Sequence, residues 1–103
     1  MSETLAELLT RYTEAQPGQS PFFTAVGGLT ILRSDNQRRA NPLLYKPALC
    51  ITVQGAKSAT FGDQRHHYSA GQALLVSVET PGFGTVTEAS PAKPYLEIGR
   101  AHV

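Results

Sequence analysis

Tryptophan is absent from this chain of 103 residues, and cysteine occurs once, as Cys50. A single thiol closes no internal disulfide and supplies no multi-cysteine metal site, and it suits reducing surroundings. Charge of one sign is missing as well. Nine Lys and Arg stand against eight Asp and Glu, a formal net charge of +1, so the broad positive field that draws a protein onto phosphate backbones is not there. Long hydrophobic runs are also lacking: stretches such as Ala73-Leu74-Leu75-Val76 fall far short of the ~20 consecutive apolar residues that cross a bilayer. The opening Met1-Ser2-Glu3-Thr4 is acidic, unlike the basic and then apolar start of a secretory signal. No membrane partner and a cytoplasmic location are expected.

What the chain does have is turn chemistry. Nine glycines and seven prolines accompany 41% hydrophobic and 17% charged residues, a balance that fits one turn-rich globular domain better than disorder or a coiled coil. Between Glu3 and Ala15, Leu5, Leu8, Leu9 and Tyr12 fall at helical spacing, with Ser2 as candidate N-cap and Glu7 and Arg11 four apart on the polar side. The segment Gln16-Pro17-Gly18-Gln19-Ser20-Pro21 stops that helix, because Pro lacks a donor and Gly supplies a turn.

Beyond it, short β-branched and aromatic runs alternate with turn residues. Strands are expected near Phe22–Ala25, Leu29–Arg33, Leu49–Gln54, Ser58–Phe61, Gln64–Tyr68, Ala73–Val78, Thr85–Glu88 and Tyr95–Glu97. Gly55-Ala56 and Gly62-Asp63 read as hairpin corners, making a three-stranded meander. Asp35–Pro47, with two prolines and Arg38-Arg39, reads as a long, exposed and mobile loop, the basic pair being solvated or touching a partner domain. Gly27-Gly28 and Gly82-Phe83-Gly84 read as turns, since no glycine-rich loop opens a helix as a phosphate cradle would. Asp63, Glu79 and Glu88 are scattered near strand ends with nothing to pair them as acid and base. Closely spaced strands of this kind close into a sandwich or barrel, so the fold class is all-β with one leading helix.

The segment Leu44-Tyr45-Lys46-Pro47-Ala48-Leu49-Cys50-Ile51-Thr52-Val53-Gln54-Gly55-Ala56-Lys57 resembles the opening of the N-terminal domain in one subfamily of AraC-type transcription regulators, roughly L-Y-x-P-x-L-C-x-x-x-Q-G-x-K. The likeness continues through Gly62-Asp63, Tyr68-Ser69-Ala70-Gly71-Gln72, Leu74-Leu75-Val76-Ser77-Val78 and Glu88-Ala89-Ser90-Pro91-Ala92-Lys93-Pro94-Tyr95-Leu96, covering nearly the whole chain. The resemblance implies a cupin-like antiparallel β-barrel of the double-stranded β-helix type. It further implies an effector-sensing role, joined in complete members to a C-terminal pair of helix-turn-helix motifs that would make the contact with promoter DNA. Residues 1–97 would be that regulatory domain, helix about 3–15 and barrel about 22–97. Ile98-Gly99-Arg100-Ala101-His102-Val103 breaks both the strand pattern and the resemblance. It is similar to one reading frame of a common sequencing adapter, so residues 98–103 are expected to be a non-native tail, with the chain ending before any DNA-reading helix.

Metal-dependent cupins use two histidines one residue apart, a carboxylate and a later histidine. His66 and His67 are adjacent, so on a strand they point to opposite faces, and His102 lies in the suspect tail. No metal and no other cofactor is expected. His66 shares a face with Tyr68 and Gln64, and His67 with Arg65 and Ser69. Cys50 shares one with Thr52. A candidate ligand pocket therefore comprises Tyr45, Cys50, Thr52, His66 and Tyr68, with the 35–47 loop at its mouth. Each of these residues has an ordinary packing role as the competing account. Cys50 could instead be a sensor thiol, which requires partial exposure and a lowered pKa.

No catalytic residues are assigned. Three functions compete: a module sensing a small-molecule effector, a small cupin enzyme, and a dimerisation module in which the Leu5–Tyr12 stripe packs on another chain, so that a homodimer is one partner arrangement the sequence allows. The near-neutral charge carries one firm expectation. In a mobility-shift titration the chain by itself gives no salt-dependent, sequence-selective retardation of promoter DNA; such a shift would overturn the whole assignment.

Overall fold

A computed structural model describes residues 4–16 and 20–101. Its one helix, α1 (Leu5–Ala15), starts at Thr4, whose hydroxyl accepts from the Glu7 amide at 3.2 Å. Thr4-Leu5-Ala6-Glu7 is a capping-box sequence, and this cap replaces the expected Ser2, which lies outside the described residues together with Pro17, Gly18, Gln19, His102 and Val103.

Nine strands follow among the described residues: β1 (Phe22–Phe23), β2 (Leu29–Ser34), β3 (Arg38–Tyr45), β4 (Ala48–Gln54), β5 (Ala56–Phe61), β6 (Gln64–Ser69), β7 (Ala73–Val76), β8 (Thr80–Glu88) and β9 (Tyr95–Ala101). They form two antiparallel sheets, β1-β2-β9-β4-β7 and β3-β8-β5-β6, whose facing surfaces enclose the barrel interior. The expected all-β barrel with one leading helix is what the chain forms.

One hydrophobic cluster lies outside the barrel, under the helix. Leu9 of α1 packs with Phe22, Ile31 and Leu96, flanked by Ala6, Tyr12, Val53 and Ile98. Much of the helix stripe read from the sequence is thus satisfied within the chain, while Leu5 and Leu8 stay about half exposed. Arg33 secures the same contact. Its Nη1 donates to Thr13 Oγ1 at 2.9 Å and to the Thr10 carbonyl at 3.3 Å, while Asp35 at 2.7 Å and Glu14 at 3.6 Å balance its charge.

Four expectations need correction. Residues 38–45 are not loop but strand β3, paired with β8 from Arg38↔Val86 to Tyr45↔Thr80. β3 is an edge strand, so Pro42 is tolerated where it needs to donate no ladder hydrogen bond. Gly82-Phe83-Gly84 is not a turn but the middle of β8; a Cβ on Gly84 would stand 2.8 Å from both Leu43 Cδ1 and Tyr45 Oη, so glycine is there to let two strands' side chains close over it. Gly55-Ala56 is not a hairpin corner. β4 pairs with β9 and β7 whereas β5 pairs with β6 and β8, so Gly55, at φ +83° and with space for no Cβ beside the Glu88 carbonyl, carries the chain from one sheet to the other. Of the two expected corners, Gly62-Asp63 alone closes a hairpin, between Phe61 and Gln64. Finally, β9 does not end at Glu97. Ile98 pairs with Ile31 and Ile51, and Gly99 with Thr30 and Cys50, because Ile98 continues the helix-facing alternation begun at Leu96 and gains burial by staying in the strand.

Leu96 is fully buried (0% exposed) whereas Leu75 is 62% exposed. Leu96→Ala is expected to lower unfolding free energy by about 2–5 kcal/mol, and Leu75→Ala by less than about 0.5 kcal/mol, read from urea midpoints at unchanged slope.

Candidate functional site

Strand alternation gives β9 two different jobs. Leu96 and Ile98 face the helix, so Tyr95 and Glu97 must face the barrel interior. β4 lies alongside in register, Cys50 opposite Gly99 and Thr52 opposite Glu97, and both of its side chains point the same way. The other sheet contributes Lys57 from β5, Tyr68 from β6, directly opposite Lys57, and Tyr45 at the end of β3.

These side chains converge on one carboxylate. Glu97 is 1% exposed. Its Oε1 accepts from Tyr95 Oη at 2.5 Å and lies 3.7 Å from Lys57 Nζ. The Cys50 thiol lies on the same inward face, close enough for the Glu97 charge to act on it. Thr52 Oγ1 lies 3.1 Å from Tyr95 Oη; since Tyr95 donates its own proton to Glu97, Thr52 is the donor of that pair. Burying a carboxylate is tolerable only with such partners.

The surroundings hold the acidic groups in their protonated forms. Burial first, then the Glu97 charge and the Cys50 thiol, push the Tyr45 phenol up to about 12. Tyr68 and Tyr95 are raised further, by burial and then by Glu97. Burial, followed by Glu97, pushes Cys50 up to about 11 against the opposing pull of Lys57. At neutral pH the interior therefore presents three phenol donors and a neutral thiol. This environment works against the sensor-thiol reading, which needed a lowered pKa.

Two buried hydroxyls, those of Tyr45 and Thr87, make no hydrogen bond among the described residues. Tyr45 Oη is buried without any hydrogen bond, its ring edge-on to Phe61 at 4.9 Å. It sits beside Gly84, whose missing side chain leaves it room. Gly84 also belongs to the wall of a cavity of about 340 Å³, with Leu32, Leu43, Val86, Lys57 and Tyr95 among its lining and Arg38 and Arg39 at the mouth. Lys57 and Tyr95 thus connect the Glu97 cluster to an opening of the barrel.

Of the five residues expected to line a pocket, Tyr45, Cys50, Thr52 and Tyr68 are brought together around Glu97. His66 is not. It lies on the Tyr68 face of β6 but is exposed, with Phe61 at a centroid distance of 6.1 Å, at a separate opening bounded also by Leu74 and Thr80. His67 faces outward, its Nδ1 3.3 Å from Ser58 Oγ. The segment expected as a mobile loop at the mouth is there as strand β3. Sequence reasoning missed Glu97, Lys57 and Tyr95; the available signal was Tyr95-Leu96-Glu97-Ile98, in which a carboxylate alternates with buried aliphatics. Among the described residues no three His, Cys, Asp or Glu side chains gather closely enough to hold a metal ion, and no helix is long and apolar enough to cross a membrane.

Comparison with known proteins decides the family. The profile of the AraC-type transcriptional regulator N-terminus matches residues 25–99. The chain belongs to this family. It is a regulatory domain of AraC-type regulators, on a cupin-like fold. A cupin-2 domain protein from Shewanella frigidimarina is similar at TM-score 0.58 and 10% identity over 95% of both chains. A protein from Neisseria meningitidis is similar at TM-score 0.59 and 13% identity over 97% of this chain and 100% of its own. At such identities the likeness speaks for the fold alone. No curated protein sequence matches the chain.

In this AraC-type domain the raised thiol pKa has a direct readout. Because the thiolate is the nucleophile, Cys50 in the folded chain is expected to react with iodoacetamide at pH 8 about a hundredfold more slowly than in the urea-unfolded chain, whose thiol has the ordinary pKa. The rate should climb steadily to about pH 11. Equal rates in the two states would remove the electrostatic account of the cluster.

Proposed function

We propose that this domain senses a small-molecule effector inside the barrel and, in the complete regulator, passes its state to a C-terminal helix-turn-helix domain that contacts promoter DNA. It is not itself a catalyst. The observation that carries the reading is the buried Tyr45 hydroxyl without a protein partner, beside Gly84 in the wall of an open cavity. An unpaired buried hydroxyl costs stability unless something in the functional cycle pairs with it. A ligand acceptor entering past Gly84 would do so, and the phenol can donate because it stays protonated far above neutral pH. The ligand would then shift the domain between states by its differential affinity for them.

Tyr45, Cys50, Thr52 and Tyr68 are the proposed contacts, joined by Lys57, Tyr95 and Glu97. The test exploits the orphaned hydroxyl. Tyr45→Phe removes a polar atom that makes no bond within the chain, so its thermal midpoint should equal or exceed that of the parent. Its effector dose response in a promoter-reporter assay of the complete regulator should nevertheless shift to higher concentration by about tenfold, the worth of one hydrogen bond. An unchanged dose response would count against the barrel interior as the sensing site. Tyr68→Phe and Cys50→Ser, measured alongside, should lose response by more than their midpoints fall.

A further inference from the structure

The mouth of the cavity is cationic in a way that the barrel itself does not need. Arg33, Arg38, Arg39 and Lys57 all line it. Two of the four are matched by carboxylates: Arg33 by Asp35 and Glu14, and Lys57 by Glu97. Among the described residues no carboxylate pairs with Arg38 or Arg39; Arg38 Nε donates only to the neutral Ser34 Oγ, at 3.1 Å.

The backbone places these two guanidinium groups together. Successive residues of a regular strand point to opposite faces, and Arg38 and Arg39 are successive. The ladder between β3 and β8, however, slips at this point: Arg38 pairs with Val86 and Asn41 with Gly84. Two residues of β3, Arg39 and Ala40, therefore stand opposite the single residue Thr85. Such a bulge re-aims side chains, and both arginines reach the same cavity. The same wall has an apolar part, Leu32, Leu43 and Val86, and includes Gly84, beside which lies the unpartnered Tyr45 hydroxyl.

We infer that the ligand of this cavity is a small organic anion, an oxyanion head held by Arg38 and Arg39 on an apolar body packed against Leu32, Leu43 and Val86. This rests on the reading of the barrel as an effector-sensing module and adds the chemical class of the effector. Guanidinium groups donate in a planar fork that fits carboxylate and phosphate oxygens alike, so the head group is either of these. A cation is disfavoured by Arg38 and Arg39, the two positive side chains of the lining that no carboxylate matches among the described residues. A purely neutral ligand would leave the two arginines unmatched.

The test is titration calorimetry of the purified chain with three probes that share one ring: cyclohexanecarboxylate, cyclohexyl phosphate and the uncharged cyclohexanecarboxamide. At least one anion is expected to bind at one per chain, and the amide about tenfold or more weaker, as the loss of charge-assisted hydrogen bonds dictates. Which anion binds tighter identifies the head group. Arg38→Gln and Arg39→Gln should each weaken the anion about tenfold, with Arg65→Gln, an exposed residue of β6 outside the cavity lining, as the unaffected control. Raising salt should weaken what remains. Failure of both anions to bind, an amide as good as its carboxylate, or arginine variants that bind like the parent would overturn the inference. The two readings fail separately. A neutral compound that drives the reporter of the complete regulator while anions do nothing keeps the sensing role and removes the anion; anions bound through Arg38 and Arg39 with a reporter that answers no compound does the reverse.

Discussion

The buried charge of Glu97 is the constraint around which this barrel is arranged. A carboxylate with 1% exposure is stable only if hydrogen bonds and an opposite charge replace its water, and its partners come from both sheets. Tyr95 reaches it from its own sheet, and Lys57 from the opposite one. The network is therefore a bridge across the barrel. Removing one partner would leave the others short of a bond, which is why a fully satisfied polar network specifies one arrangement of the two sheets more sharply than apolar packing does.

That bridge has an apolar counterpart on the far side of one sheet. With phenols, a thiol and an ion pair in the interior, a cluster of aliphatic residues is buried on the outside of the β1-β2-β9-β4-β7 sheet, where α1 covers Leu96, Ile31 and Ile98. β9 serves both sides at once. The helix is thus a structural lid on the sheet that carries Glu97, and Arg33, which holds α1 through Thr10 and Thr13, also lines the cavity mouth. The proposed ligand would therefore meet a residue that also holds the helix outside the barrel. This contiguity gives a physical route for a bound state to be felt at the surface.

The site was partly legible before any fold was known. Cys50 with Thr52, and Tyr68 on one face of its strand, follow from period-two alternation, and Tyr45 from its place at the entry to the next strand. His66 was misplaced by the same rule, because alternation assigns a face but not a depth, and a strand's inward face ends in solvent at the barrel's opening. Glu97 was passed over because acidic residues at strand ends are ordinarily solvated. Its burial depends on β9 continuing to Ala101, and that continuation depends on the helix waiting over Ile98. Arg38–Tyr45 was read as loop from its Pro and Asn content, which an edge strand accommodates.

The sequence by itself determined the fold class, the leading helix, the AraC-type resemblance and most of the inward-facing residues, since each follows from local periodicity, turn chemistry or an ordered set of short motifs. Only the tertiary structure decided which sheet each strand joins, that Gly55 carries the chain between sheets and does not close a hairpin, and that a bulge turns Arg38 and Arg39 toward one cavity. It also decided that Lys57 and Glu97, forty residues apart in the chain, meet inside the barrel. These are long-range pairings, and their energies depend on partners brought together only when both sheets have formed, so no local pattern encodes them.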